Sequence, residues 1–184
     1  MKKFPSEDEF ISHIAQLIPP DRTVSVGIGD DGAVIDIPTS SRLITTTDSL
    51  VEGTHFRGLW VDPVYLAKRV VSVNISDCAA MGVAPRYALC SLIIPQDSLH
   101  ISQAQLFMEA LVSELTFHGI TLVGGNISRG ATLSISLTLL AVVQAQYSML
   151  TRTGGVLRDM VLVTGQLGNA SYDLSQLESG AQQK

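Results

Sequence analysis

The apolar positions of this chain change period several times, and each change predicts an element. From Ser6 onward they fall at Phe10, Ile11, Ile14, Leu17 and Ile18, the spacing of one helix face. Ser6 and Glu9 stand where a capping box opens that helix, and Pro19-Pro20 closes it. Val24 to Ile28 reads as a strand. Ala33 to Ile37 and Leu43 to Thr47 read as two more, joined by the turn Pro38-Thr39-Ser40-Ser41. Asp48 to Arg57 is polar and predicts a loop. Asp62 followed by Pro63 predicts a capped helix start, with the helix running to about Met81 and stopping at Gly82. Tyr87 to Ile94 reads as a strand closed by Pro95. Ser102 with Gln105 predicts a second capping box, and Ile101 with Leu106 a hydrophobic staple, for a helix ending at His118-Gly119. Thr121 to Val123 leads into a predicted loop, Gly124-Gly125-Asn126-Ile127-Ser128-Arg129-Gly130. Thr132 to Val143 alternates in part and predicts a long strand. Val161 to Thr164 predicts another, ending in Gly165-Gln166-Leu167-Gly168, and Glu178 to Lys184 is a polar tail. The expected class is mixed α/β (α+β), with neighbouring strands and short turns rather than regular βαβ units.

Composition adds an interface to this picture. Hydrophobic residues make up 46% of the 184, and only 16% are charged. Mean hydropathy is +0.30, apolar for a soluble monomer of this size. No uninterrupted apolar stretch reaches the ~18 residues of a membrane span, so the excess is expected to cover a subunit or domain interface. The start, Met1-Lys2-Lys3-Phe4-Pro5, lacks the apolar core of a signal peptide. Cys78 and Cys90 have neither metal-type nor redox-type spacing, which points to a reduced, cytoplasmic setting. With a net charge of -5 and no Lys/Arg cluster, nucleic acid is not an expected partner. An acidic protein still binds phosphates where divalent cations mediate.

That possibility bears on Gly27-Ile28-Gly29-Asp30-Asp31-Gly32, which reads as G-x-G-x-x-G. A dinucleotide turn must open a helix and present N–H groups without negative charge. Here Ala-Val-Ile-Asp-Ile-Pro follows, and Asp30-Asp31 sit inside the turn, so the dinucleotide reading fails. The acids make more sense together. Asp31 follows one strand, Asp48 ends Thr45-Thr46-Thr47-Asp48, and Asp77 lies within Asn74-Ile75-Ser76-Asp77, on the same helix face as Asn74. The surrounding helix is apolar, so Asp77 is expected to be partly buried. Carboxylates and hydroxyls from separate segments suit Mg²⁺, which binds a few carboxylates plus substrate phosphates; taken singly, each Asp also suits a turn or cap. The Gly124–Gly130 loop is the phosphate candidate, its glycines allowing close backbone approach and Ser128 and Arg129 adding donors; an ordinary glycine turn is the plainer alternative. His55 suits contact with a substrate phosphate or proton transfer, and equally a packing role. Arg152 suits a nucleotide phosphate or a solvated turn. His13, His100 and His118 read as structural or exposed, and no nucleophile–base dyad is evident.

These residues, in this order, resemble thiamine-monophosphate kinase. The resemblance rests on Gly27 to Asp31, on Thr46-Thr47-Asp48-Ser49-Leu50-Val51-Glu52-Gly53-Thr54-His55-Phe56 and on Val73 to Gly82. It continues through Gly124-Gly125-Asn126, Ser128-Arg129-Gly130 and Val163 to Gly168. It implies the N-terminal domain of the aminoimidazole ribonucleotide synthetase-like fold: a largely antiparallel mixed sheet with helices on one face, dimerising through a shared β-barrel. It implies ATP-dependent phosphorylation of thiamine monophosphate to thiamine diphosphate, with metal-assisted in-line transfer and no catalytic base. Asp31, Thr46, Thr47, Asp48, Asp77 and Asn126 would hold Mg²⁺. Gly125, Asn126 and Arg152 would face ATP, and His55 the thiamine phosphate. Residues 1–150 would form the ATP/Mg²⁺-binding and dimerisation domain, and 151–184 the start of a C-terminal domain cut short, so weak or no kinase activity is expected of this chain alone. Asn126 stands where the family usually has Asp, an amide ligand without charge. Another ATPase of the superfamily, or an inactive nucleotide-binding and dimerisation module, are the competing readings.

Overall fold

The computed structural model describes residues 6–58, 61–95, 98–163 and 165–179, without the side chains of residue 7 and residues 98–102. Helix α1 (Glu7–Leu17) opens on the expected capping box: Ser6 Oγ accepts from the Glu9 N–H at 3.2 Å, and the Glu9 carboxylate accepts from the Ser6 N–H at 2.7 Å. Strands β1 (Val24–Val26) and β2 (Val34–Ile35) form a small antiparallel pair, shorter than their apolar runs suggest. The chain turns out of β1 through Gly29, whose φ of +116° suits glycine.

The main sheet has four strands: β3 (Ser41–Val51), β4 (Tyr87–Ile94), β5 (Thr121–Arg129) and β6 (Ser134–Gln144), ordered β3-β6-β4-β5. β6 pairs antiparallel with β3 and β4, and β4 pairs parallel with β5 across helix α3 (Ser98–Phe117). The sheet is therefore mixed and includes one βαβ unit, which the irregular order of elements did not suggest. Helix α2 (Pro63–Ala80) packs over β3 and β6, and α3 over β4 and β5. On β6 the alternate residues Ile135, Leu137, Leu139 and Ala141 are fully buried and form the middle of the core. Leu66, Val70 and Val71 from α2 and Leu111 and Leu115 from α3 meet them in the same apolar cluster. At roughly 1.5–3 kcal/mol per buried large aliphatic side chain, this layer dominates the stability.

The face away from the helices divides in two. Leu43, Val142 and Leu140 lie at one end by register, with Leu89 next along opposite Thr138; Leu43 is 53% and Leu89 37% exposed. At the other end a hydroxyl row crosses the sheet, with Ser49 paired to Ser136, Ser136 to Ser91 and Ser91 to Asn126. The hydroxyls bond one another: Ser49 to Ser136 at 2.7 Å, and Thr138 donating to Thr47 at 2.9 Å.

Several expectations need correction. β3 continues through Asp48 to Val51, so the polar loop is confined to 52–58; pairing with β6 outweighs the local polarity. Gly124 to Arg129 is strand, not loop, because each residue pairs with β4. A Cβ on Gly125 would lie 1.9 Å from the Cys90 carbonyl oxygen, so this glycine answers a close strand approach. α3 begins at Ser98, which makes Ser102 an interior residue rather than a cap; the side chains of Ile101 and Ser102 lie outside the described residues. Val161 to Val163 are irregular and unpaired among the described residues, while Thr164 lies outside them. Helix α4 (Asn169–Glu178) was not anticipated; the tail beyond Ser179 is outside the description.

Contacts divide the chain into two compact units, Met1–Thr151 and Arg152–Lys184. The second contains α4, none of whose residues is buried. No described helix is long and apolar enough to cross a membrane.

Candidate functional site

β3 and α2 bring the acids of two separate motifs together. Alternation along β3 sends Ile44, Thr46, Asp48 and Leu50 to the helix-covered face, where Ile44 and Leu50 are buried. α2 starts firmly, with the Asp62 carboxylate accepting from the Val64 and Tyr65 N–H groups at 2.8 and 3.0 Å and proline at its first turn. Leu66, Val70, Asn74 and Cys78 recur every fourth residue on its buried face. Asp77 sits at the border of that face beside β3. Thr46 Oγ1 donates to Asp77 Oδ2 at 3.0 Å, joining residues 31 positions apart. Asn74, fully buried, accepts from the Asp48 N–H through Oδ1 at 3.1 Å and donates through Nδ2 to the Val70 carbonyl at 2.8 Å.

Asp77 is exposed, contrary to the partial burial expected of it: it lies one step off the apolar stripe. Asp48 is exposed as well. Two carboxylates and a hydroxyl thus present hard oxygen donors at the β3 edge, the donor chemistry that suits Mg²⁺. They are not a closed metal cage. Among the described residues, no three His, Cys, Asp or Glu side chains group so as to hold an ion. Such a set leaves room for phosphate oxygens and water as the remaining ligands.

The other named residues fall elsewhere. Asp31 is exposed on the β1–β2 arm, its N–H bonded to Asp30 Oδ1 at 2.8 Å. Thr47 points to the hydroxyl face, where Oγ1 donates to the Leu137 carbonyl at 3.2 Å and accepts from Thr138. Asn126 lies on that same face but on β5, the opposite edge of the sheet. Three strand spacings separate it from β3, about 14 Å, so one copy of the chain does not unite Asn126 with Asp48 and Asp77. Arg152 belongs to the second unit. His55 is exposed in the 52–58 loop; its Nδ1 accepts from the Val51 N–H at 3.0 Å, which leaves Nε2 bearing the proton of the neutral ring.

The thiols take no part. Burial pushes Cys90 up to about 12, and burial together with the Asp77 charge raises Cys78, so neither is a thiolate at neutral pH. Asn74 is the residue that sequence reasoning placed beside Asp77 without giving it work. Its signal was available: one amide in an i, i+4 stripe of apolar residues.

Residues 29–143 match the AIR synthase related protein, N-terminal domain. The thiamine-monophosphate kinase of Buchnera aphidicola subsp. Acyrthosiphon pisum is 36% identical over 153 residues, covering 83% of this chain and 46% of its own length. A crystal structure of thiamine-monophosphate kinase from Stenotrophomonas maltophilia K279a superposes with a TM-score of 0.82 at 30% identity, over 97% of this chain and 55% of that one. AaThiL complexed with AMPPCP and TMP superposes with a TM-score of 0.72 at 31% identity, over 96% of this chain and 53% of that one. The chain spans about half the length of the curated relatives it matches.

Proposed function

The chain belongs to the AIR synthase related proteins, and on that premise we propose that it supplies the nucleotide- and metal-binding half of a thiamine-monophosphate kinase. The reaction is transfer of the γ-phosphoryl group of ATP to the phosphate of thiamine monophosphate. A phosphate oxygen of the acceptor forms the new P–O bond as the bond between the γ-phosphorus and the β–γ bridging oxygen breaks, giving thiamine diphosphate and ADP. The acceptor oxygen is already anionic, so no general base is required, in keeping with the absence of a dyad from the sequence. Positioning and charge neutralisation carry such a transfer.

The observation that carries this reading is the meeting of Thr46 and Asp77 beside Asp48, from two motifs of the resemblance. Thr46, Asp48 and Asp77 would hold Mg²⁺, with Asp31 on its arm as a further carboxylate. Bound there, Mg²⁺ would neutralise phosphate charge. His55, through Nε2–H, would donate to the acceptor phosphate. Gly125 and Asn126 would face the nucleotide, and Arg152, carried by the second unit, is a separate candidate for a nucleotide phosphate. Because Asn126 and Asp48 sit on opposite sheet edges, a pair of chains joined through their sheets as a shared barrel is the arrangement that serves both. We place the protein in the cytoplasm, where Cys78 and Cys90 stay reduced.

Calorimetry with AMPPCP and Mg²⁺, with and without thiamine monophosphate, tests the proposal. Mg²⁺-dependent nucleotide binding is expected, weakened at least about tenfold in Asp48→Asn, roughly the 1.4 kcal/mol of one charge-assisted contact. Binding that is unchanged without Mg²⁺, or in Asp48→Asn, sinks it.

A further inference from the structure

We infer that Asn74 is a positioning residue that sets the spacing between the two acids of the site. The inference rests on the reading of Asp48 and Asp77 as metal-holding groups, and it assigns work to a side chain that touches neither metal nor substrate. β3 lies at the sheet edge, with its helix-covered face under α2. Asn74 Oδ1 accepts from the Asp48 N–H at 3.1 Å and so ties the helix to the strand at that residue. Its Nδ2 is spent on the Val70 carbonyl one turn earlier, which fixes the amide's orientation. The side chain is 0% exposed, so water does not replace either bond.

The geometry makes a closed loop. Asp48 is tied by its backbone to Asn74, Asn74 and Asp77 lie one turn apart on α2, and Asp77 returns to β3 through Thr46. Two strand positions, 46 and 48, are thereby clamped to two helix positions, 74 and 77. A metal–phosphate site with open coordination places needs its carboxylates held before the ligand arrives, because ordering them on binding lowers affinity. An apolar residue at position 74 would fit the stripe of Leu66, Val70 and Cys78 at least as well. A buried amide there, with both of its polar ends used, is what positioning requires and packing does not.

The experiment separates holding from packing. Asn74→Ser keeps a hydroxyl able to bond the Val70 carbonyl from within the helix but is too short to reach Asp48; Asn74→Ala removes both bonds. Amide hydrogen exchange on the intact chain reads the local geometry without metal. In Asn74→Ser, the Asp48 amide is expected to exchange at least about tenfold faster, while the Leu137 and Leu139 amides of β6 keep their protection. Calorimetry with Mg²⁺ and AMPPCP is expected to show affinity reduced about tenfold in the same variant, and no further reduction when Asn74→Ser is added to Asp77→Asn. Faster Asp48 exchange with unchanged affinity overturns the inference, as does a loss that simply adds to that of Asp77→Asn. If Asn74→Ala fails to fold, Asn74→Ser still decides. If Asp48→Asn and Asp77→Asn leave nucleotide binding untouched, the site reading itself fails and the inference falls with it, an outcome distinct from a failure of Asn74 alone.

Discussion

Asp21 shows how much one carboxylate contributes to anchoring the first third of the chain. It accepts from the Thr23 hydroxyl at 2.6 Å, the Thr23 N–H at 2.9 Å and the Thr121 hydroxyl at 3.1 Å, with the Arg86 guanidinium at 3.3 Å. The Thr23 hydroxyl and N–H bonds, then Thr121 and the Arg86 charge, outweigh desolvation and lower its pKa from 3.8 to about 2. A carboxyl depressed in the folded state contributes stability above its unfolded pKa and loses it as pH falls through the folded value. Asp21→Asn is therefore expected to lower stability by roughly 1–2 kcal/mol at pH 7, toward the lower figure because the cluster opens to solvent. Thermal melts at pH 7, 4 and 2 check this: the gap between variant and parent should hold to about pH 4 and shrink toward pH 2. A gap independent of pH would remove the charge from the explanation. Asp21 drew no attention in the sequence because its partners Arg86 and Thr121 lie 65 and 100 positions away. Asp48 and Asp77 were legible because each sits in a recognisable local run; what the sequence withheld was that a buried amide links them.

At the scale of elements, local signals placed ends and non-local pairing moved them. The caps of α1 and α2 and the span of β4 were readable, since Ser6, Glu9, Asp62, Pro63 and Pro95 act within a few residues of themselves. Removing the α2 cap by Asp62→Ala should cost about 1 kcal/mol, measured by denaturant unfolding, with a slope unchanged from the parent. β5 was missed because its glycines look like a loop until β4 lies beside them. The Gly125 contact turns that into a prediction. A methyl at this position meets a backbone carbonyl at 1.9 Å, and neither strand can yield without breaking ladder bonds. Gly125→Ala is expected to destabilise by about 3 kcal/mol, the upper end for overpacking. Stability close to the parent's would mean that β4 and β5 pair less tightly than their register implies. The strand order β3-β6-β4-β5 was beyond any local signal, because β6, last in the chain, inserts between β3 and β4.

For the whole molecule, part of the apolar excess noted in the composition lies on the open sheet face. Leu43 and Leu89 stand there exposed beside Leu140 and Val142, while the opposite face is closed by α2 and α3. An apolar half-face next to a row of mutually bonded hydroxyls is a surface that the proposed pairing of sheets would cover. A stable pair would bury on the order of 1,200–2,000 Å² in total, within reach of one sheet face per chain. The proposed dimer therefore predicts a wild-type chain that sediments as a dimer at micromolar concentration. Leu43→Glu with Leu89→Glu places two carboxylates where the partner's apolar side chains would sit. Leaving charges buried and unpaired costs several kcal/mol, so dissociation should strengthen by at least about 100-fold. Both positions lie away from the helix-packed core, so far-UV circular dichroism should be unchanged. Nucleotide affinity then supplies the final discrimination. If Asn126 acts on a site completed across the pair, the monomeric variant must lose Mg²⁺-dependent AMPPCP binding together with its partner. A monomer that binds as tightly as the dimer would confine the site to the β3–α2 edge of one chain and leave Asn126 outside it.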